Sequence, residues 1–385
     1  MIYLDSAATS LLKPPSVVRA TAMAMRTMAS PGRGGHSAAM RAADTVFTCR
    51  EAAAELFHVP EPERVVFTMN ATHALNIAIH SLVSPGDPVV ISGYEHNSVT
   101  RPLHALGAQV RVAESSLFEP EAAVSAFRRA LPGAKAVVCT MVSNVFGYLL
   151  PVREIAELCA AAGVPLIVDA SQAAGCVAFD AAALGAAFVA MPGHKGLLGP
   201  AGLGLLLLSG KMAHALDPLI AGGTGSASDK ETLPDYLPDR FESGTPNMAG
   251  IYGLEYSLGF VEGRGIEALR AHELALTKRF IDGLDGIANV RLCGTRQLDR
   301  RVGVISLDFI GQDNAEVAFR LETEFGILTR CGLHCAPNAH KTLSTFPQGT
   351  VRFSLGFANT ENDVDRALEA VKRLAKQKTE GVSLP

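Results

Sequence analysis

The chain has 385 residues, 48% apolar and 19% charged, and a net charge of −4. That balance describes a globular protein with more than one packed unit, and its slight acidity argues against nucleic acid or an anionic membrane surface as a partner. Tryptophan is absent and alanine, glycine, leucine and valine dominate, which favours tight helix-on-sheet layers over a β-sandwich.

The opening "MIYLDSAATS" carries an early aspartate and no basic run, so no signal peptide is expected. Short β-rich runs then alternate with helical stretches. "RVVFTM" (64–69) precedes the helical "ATHALNIAIHSL", and "DPVVIS" (87–92) and "AQVRVA" (108–113) follow. "EPEAAVSAFRRAL" reads as a helix and "AKAVVCTMV" (134–142) as a strand. "PVREIAELCAAAG" reads as a helix with a glycine stop, and "VPLIVDA" (164–170), "AAFVAM" (186–191) and "GLGLLLL" (202–208) as strands. These runs are almost uniformly apolar rather than alternating, as strands covered on both faces are. The pattern predicts an α/β fold with a mostly parallel sheet. No run approaches the ~18 apolar residues that span a bilayer, so a cytoplasmic protein is expected.

Glycine, proline and serine are frequent in 221–248, and one long helix over about 249–285 is expected after it. "NVRLC", "VGVISLDF" and "TVRFSLGF" then read as strands, with "NAEVAFRLETEFG" and "TENDVDRALEAVKRLAKQ" as helices. The expected organisation is an N-terminal arm (1–14), a large domain (15–255) and a smaller C-terminal α/β domain (256–385), whose last residues, "KTEGVSLP", form a loose tail.

Ligands of open parallel sheets sit beyond the carboxyl ends of the strands. Five successive strand ends carry polar residues: Thr72, His96, Asn144, Asp169 with Gln172, and His194 with Lys195. Each has a plain structural reading, as a cap, a turn residue or a solvated charge. Together they have a chemical logic. A lysine among apolar residues and glycines has a lowered pKa and can form a Schiff base. Pyridoxal phosphate needs such a lysine, an acid at its ring nitrogen and a phosphate cradle. Thr72 at a helix start suits the phosphate. Asp169 suits the nitrogen and His96 the ring face. Gln172 and Asn144 can bond the ring oxygen or orient a substrate. No GxxxxGK[ST], GxGxxG turn or HExxH competes with this reading.

Of the seven cysteines, Cys49, Cys139, Cys159, Cys176 and Cys293 lie in apolar contexts and are expected to be buried thiols. Cys331 and Cys335 fall in "TRCGLHCAPNAHKT" (329–342), four residues apart. A zinc site from Cys331, His334 and Cys335 lacks partner ligands nearby, so no metal is expected. A disulfide between them fits a cytoplasmic chain poorly.

Taken in order, "YLDSAATS", "SPGRGGHSAAM", "NATHALN", "EHNSV", "SNVFG", "VDASQAAG", "GHKGLLGP", "RFESGTPN", "RCGLHCAP" and "VRFSLGFANTENDVD" resemble the class V aminotransferase family of fold-type I pyridoxal phosphate enzymes. Within that family the chain is most similar to the cysteine desulfurase and selenocysteine lyase group, in its group II form. The resemblance implies a large domain on a mostly parallel seven-stranded sheet and a smaller C-terminal α/β domain. Lys195 would then carry the cofactor, Asp169 would pair with its ring nitrogen, His96 would stack on the ring and Gln172 would contact the ring oxygen. Thr72 and His194 would hold the phosphate, and Asn144 and Arg352 the substrate carboxylate, with Arg330 close by. Thr245 would reach the phosphate of a neighbouring subunit, which implies a homodimer. Cys335 aligns with the cysteine that accepts sulfur as a persulfide, with His334 and Arg330 expected to favour its thiolate.

The implied reaction converts L-cysteine to L-alanine and passes sulfur to an acceptor protein. Selenocysteine lyase or a C–S lyase is the alternative activity. Two departures stand out. Pro192 replaces the serine or threonine usual two residues before the histidine of "GHK", which removes a phosphate hydrogen bond that "GGTGS" (222–226) could replace. Cys331 stands where threonine is usual.

Overall fold

The computed structural model describes residues 1–32, 34–210, 212 and 218–376. Arg33 of the "SPGRGGH" stretch and the expected tail over 378–385 lie outside them.

All seven apolar runs of the first half form one sheet. Its spatial order is Val65–Thr68, Gly204–Leu208, Phe188–Pro192, Leu166–Asp169, Ala136–Thr140, Pro88–Ser92, Gln109–Ala113. The last five pair in parallel, while Gly204–Leu208 runs antiparallel to both its neighbours. The strands Val65–Thr68, Ala136–Thr140, Leu166–Asp169, Phe188–Pro192 and Gly204–Leu208 are buried at every residue, which is why they read as unbroken apolar runs. Gln109–Ala113 closes one edge and is exposed at all but its last residue.

The helix expected over 249–285 is instead two, Met248–Arg264 and Ile266–Asp282, broken at Gly265. That glycine has φ 79°, a left-handed conformation a side chain disfavours, and it ends one helix while starting the next. Beyond it lies a four-stranded sheet in the order Arg330–Gly332, Thr350–Ser354, Val304–Phe309, Val290–Cys293, antiparallel throughout. It packs with helices Ile266–Asp282, Asn314–Phe325 and Glu361–Lys376 around a separate apolar core that includes Phe280, Phe309, Phe353, Leu321 and Leu374.

The N-terminal residues join this second unit. Ile2–Tyr3 pairs in parallel with Ile327–Leu328, and Leu4 is fully buried in the second core. The chain then crosses to the large sheet, where Ala7 joins the first core. No helix among the described residues is long and apolar enough to cross a membrane.

Candidate active site

The carboxyl ends of the parallel strands open into one pocket of about 190 Å³, lined by Asn70, Thr72, His96, Ser98, Asn144, Asp169, Gln172, Pro192, His194 and Lys195 among others. Seven of the residues singled out in the sequence therefore meet: Thr72, His96, Asn144, Asp169, Gln172, His194 and Lys195.

Two helices begin at this pocket. Ala71–Leu82 is capped by Asn70, whose side chain accepts the His73 amide at 2.9 Å. Asn97–Ala105 is capped by His96, whose Nδ1 accepts the Ser98 amide at 3.0 Å. First-turn amides have no partner within their own helix, so these starts present donors and the positive end of the helix dipole to an anion. The cap also fixes the His96 tautomer. An N–H can only donate, so Nδ1 holds a lone pair and the neutral ring carries its proton on Nε2. Burial lowers the pKa of His96 and keeps it neutral.

Asp169 ends strand Leu166–Asp169, is 3% exposed, and accepts the Ser171 amide at 2.9 Å. Lys195 follows strand Phe188–Pro192. Desolvation pushes its pKa down to about 8, against the pull of Asp169 and with help from Arg352 and Arg330. A lysine poised there is readily deprotonated near neutrality, as a nucleophile or base must be. Gln172 is fixed by donating to the Ala7 carbonyl at 2.8 Å. Behind it, the turns of "SQAAG" and "GHKG" touch glycine to glycine: a Cβ on Gly175 would lie 2.2 Å from the Gly196 carbonyl oxygen. The contact brings the turns that carry Gln172 and Lys195 together.

His194 is braced by the N-terminal arm. Thr9 Oγ1 lies 3.0 Å from its Nδ1, and Thr9, Ser10 and Lys13 all donate to its carbonyl. Burial, with Lys195 and Lys13 nearby, pushes its pKa down to about 4.

The remaining predicted residues lie around this pocket or apart from it. Arg352 is 1% exposed, ion-paired to Asp5 at 2.6 Å, and donates to the Asn144 carbonyl at 3.0 Å, while its Nε has no partner among the described residues. Arg330 is exposed, with Nη2 3.9 Å from the Cys335 sulfur. His334 and Cys335 adopt left-handed φ values of 50° and 57° in succession. Outside bonds hold this turn: the His334 carbonyl accepts from Asn144 Nδ2, and the Cys335 carbonyl from the Asn97 amide, each at 2.7 Å. The Cys335 loop is thus tied to two walls of the pocket. Thr245 sits elsewhere, in a cleft with Phe47, Arg50, Thr224, Ser226 and Asp239 that shares no residue with this pocket.

Two expectations change. His334 does not supply positive charge to Cys335: it is buried, its pKa lies well below the usual histidine value through burial, and its Nε2 pairs with the Arg330 carbonyl. Cys176 is only partly buried and, with Lys195, Gln172 and Glu273, lines a neighbouring cavity of about 160 Å³. Sequence reasoning also misses three residues. Ser98 is among them, and its only signal is that it follows His96 at a helix start. Glu95 is fully buried beside His96, and Glu273 lines the second cavity; burial pushes each pKa up to about 8.

The donor set suits a flat heteroaromatic aldehyde bearing a phosphate monoester. Amides, hydroxyls and His194 would suit the anion, Asp169 a ring nitrogen, and Lys195 the carbonyl carbon.

The aminotransferase class-V family model matches residues 2–367. A probable cysteine desulfurase of Methanothermobacter thermautotrophicus is 33% identical, over 97% of this chain and 94% of its own. One from Pyrococcus abyssi is 32% identical over 98% and 94%. Among solved structures, the apo cysteine desulfurase of Thermococcus onnurineus superposes with a TM-score of 0.90 at 32% identity, covering 97% of this chain and 94% of that one. A cysteine desulfurase from Escherichia coli gives 0.84 at 27% identity over 96% and 94%.

Proposed function

The chain belongs to the aminotransferase class-V family, and from that membership we propose that it is a pyridoxal phosphate-dependent cysteine desulfurase that converts L-cysteine to L-alanine and takes the sulfur onto Cys335 as a persulfide. The observation that carries this reading is the meeting of Lys195, Asp169, His96 and Gln172 in one pocket, with the Cys335 loop bonded to its walls through Asn144 and Asn97.

The first-turn amides, Thr72 and His194 would hold the cofactor's phosphate. Asp169 would hold its ring nitrogen, His96 its face, Gln172 its ring oxygen and Lys195 its aldehyde carbon. When bound, the cofactor supplies a cationic ring that stabilises negative charge at the substrate's α-carbon. Every other task falls to the chain. Asn144 and Arg352 bind the substrate carboxylate, the guanidinium shared with Asp5. Lys195 takes the α-proton and later returns a proton to the carbon skeleton. The Cys335 thiolate attacks the substrate sulfur. A Cys335–sulfur bond forms as the sulfur–carbon bond breaks, and the carbon fragment leaves as alanine. The persulfide then passes to an acceptor protein or a thiol. A homodimer completes the site, with Thr245 reaching the partner's phosphate.

Product analysis tests the reading. With L-cysteine and a reductant, the protein releases alanine and sulfide in equal amounts. Cys335→Ala cuts this at least about a hundredfold, while L-selenocysteine, whose selenium leaves more readily, is still turned over. Pyruvate in place of alanine would mean β-elimination, and undiminished cysteine turnover by Cys335→Ala would remove the nucleophile assignment.

A further inference from the structure

Three side chains at the anion end of the pocket form a linked set, and the reading above uses only two of them, Thr72 and His96. The Thr72 and Ser98 hydroxyls lie 2.7 Å apart, and the Ser98 hydroxyl lies 2.9 Å from Nδ1 of His96. Because the Ser98 amide donates to that nitrogen at 3.0 Å, Nδ1 is an acceptor, so the Ser98 hydroxyl meets it as a donor. The lone pairs of Ser98 Oγ are then free to accept from Thr72. The set has one direction, Thr72 to Ser98 to His96, and both hydroxyls can turn their hydrogens toward an arriving anion.

Position reinforces this. Thr72 stands in the first turn of helix Ala71–Leu82 and Ser98 in the first turn of helix Asn97–Ala105. The two starts meet at the pocket, and Ser98 lines it together with Thr72, His194 and Pro192. Pro192 has neither a hydroxyl nor an N–H to offer. Within one chain, residues 224–226 of "GGTGS", the other candidate replacement, line the separate Thr245 cleft, so any contact of theirs with a phosphate would be with a partner's. Within this wall Ser98 is the hydroxyl that stands beside Thr72.

We propose that Ser98 belongs to the phosphate cradle: its hydroxyl turns from His96 Nδ1, which keeps the Ser98 amide as its donor, and donates to the bound phosphate monoester in place of the side chain that Pro192 cannot supply. The assignment rests on the pyridoxal phosphate reading. Hydrogen bonds to a charged group outweigh neutral ones, so losing this one is felt mainly in cofactor affinity.

The test is equilibrium binding by the cofactor-free full chain, with pyridoxal phosphate and, in parallel, pyridoxal, which has no phosphate. Ser98→Ala weakens pyridoxal phosphate binding about tenfold and leaves pyridoxal binding within about twofold. Ser98→Thr, which keeps the hydroxyl, restores affinity. Adding Pro192→Ser to Ser98→Ala recovers at least part of the loss, because it puts a hydroxyl back on the same wall. Thermal melting of the cofactor-free variants separates misfolding from lost contact. The proposal is overturned if Ser98→Ala binds pyridoxal phosphate like the wild type, or loses both ligands equally while melting normally. A wild-type chain that takes up neither ligand overturns the cofactor reading itself.

Discussion

The carboxyl of Glu95 is fully buried one residue before His96. Its Oε1 accepts from the Ser92 hydroxyl and the Thr140 amide, while Oε2 has no partner. Desolvation is the largest cause of its pKa rising to about 8, and Asp169 adds to it. A carboxyl raised in the folded state stabilises fully below its unfolded pKa, near ~4.5. That contribution is lost as pH rises through the folded value. Replacing Glu95 with Gln keeps the acceptor oxygen and removes the titration. Between pH 5 and pH 9, wild-type stability should therefore fall relative to Glu95→Gln by up to a few kcal/mol, each pKa unit being worth about 1.4 kcal/mol. Denaturant titrations of both chains across that range check it, and parallel curves would refute it. Glu273, raised by burial in the same direction, is common to both chains and cancels in the difference. The contrast with Lys195 and Asp169 shows what a sequence reveals at this scale. Those two are legible because a parallel sheet places ligands at strand ends and their chemistry is complementary. Glu95 and Ser98 are not, because nothing in a residue's type says whether its side chain faces solvent or a pocket.

The N-terminal arm ties the two sheets to the site. Its backbone runs from the Ile2–Tyr3 pairing, past Ser354, to the His194 carbonyl, which Ser10 and Thr9 bind. Asp5 is the acidic member of this strap, and its partner Arg352 is almost wholly buried. Removing one partner of a buried ion pair strands the other charge, at a cost of roughly 3 kcal/mol. Asp5→Asn should lower unfolding free energy by about that amount and also raise KM for cysteine more than it lowers kcat, because a misaimed Arg352 weakens carboxylate binding first. An unchanged KM would mean that Asp5 is structural only. Elements of this kind are hard to read in advance. The seven long apolar runs announce themselves, whereas Ile2–Tyr3, Ile327–Leu328 and Arg330–Gly332 are two or three residues long and exist only through their partners. The break at Gly265 escapes notice because one glycine within a continuous helical pattern is usually tolerated.

At the scale of the whole molecule, two exposed apolar stripes need an explanation. On helix Pro15–Thr27, Val18 and Met25 are 58% and 77% exposed, seven residues apart; on helix Ser37–Leu56, Met40 and Phe47 are 53% and 55% exposed at the same spacing. Residues seven apart share a helix face, and other faces of these helices, with Val17, Ala24, Cys49 and Ala53, are already packed inside. Phe47 also lines the cleft that holds Thr245, which is separate from the chain's own Lys195 pocket. A second copy seated on these stripes would bury them and could bring each Thr245 to the other chain's phosphate. Replacing both Met40 and Phe47 with glutamate opposes that association with two charges while leaving the buried faces untouched. The double variant should sediment as a monomer where the wild type sediments as a dimer, with unchanged helical circular dichroism. Its affinity for pyridoxal phosphate should fall about tenfold through the lost Thr245 contact, and Thr245→Ala alone should weaken binding comparably without dissolving the dimer. A wild-type monomer that binds the cofactor fully would contradict the shared site. A variant dimer as stable as the wild type would place the interface on another face.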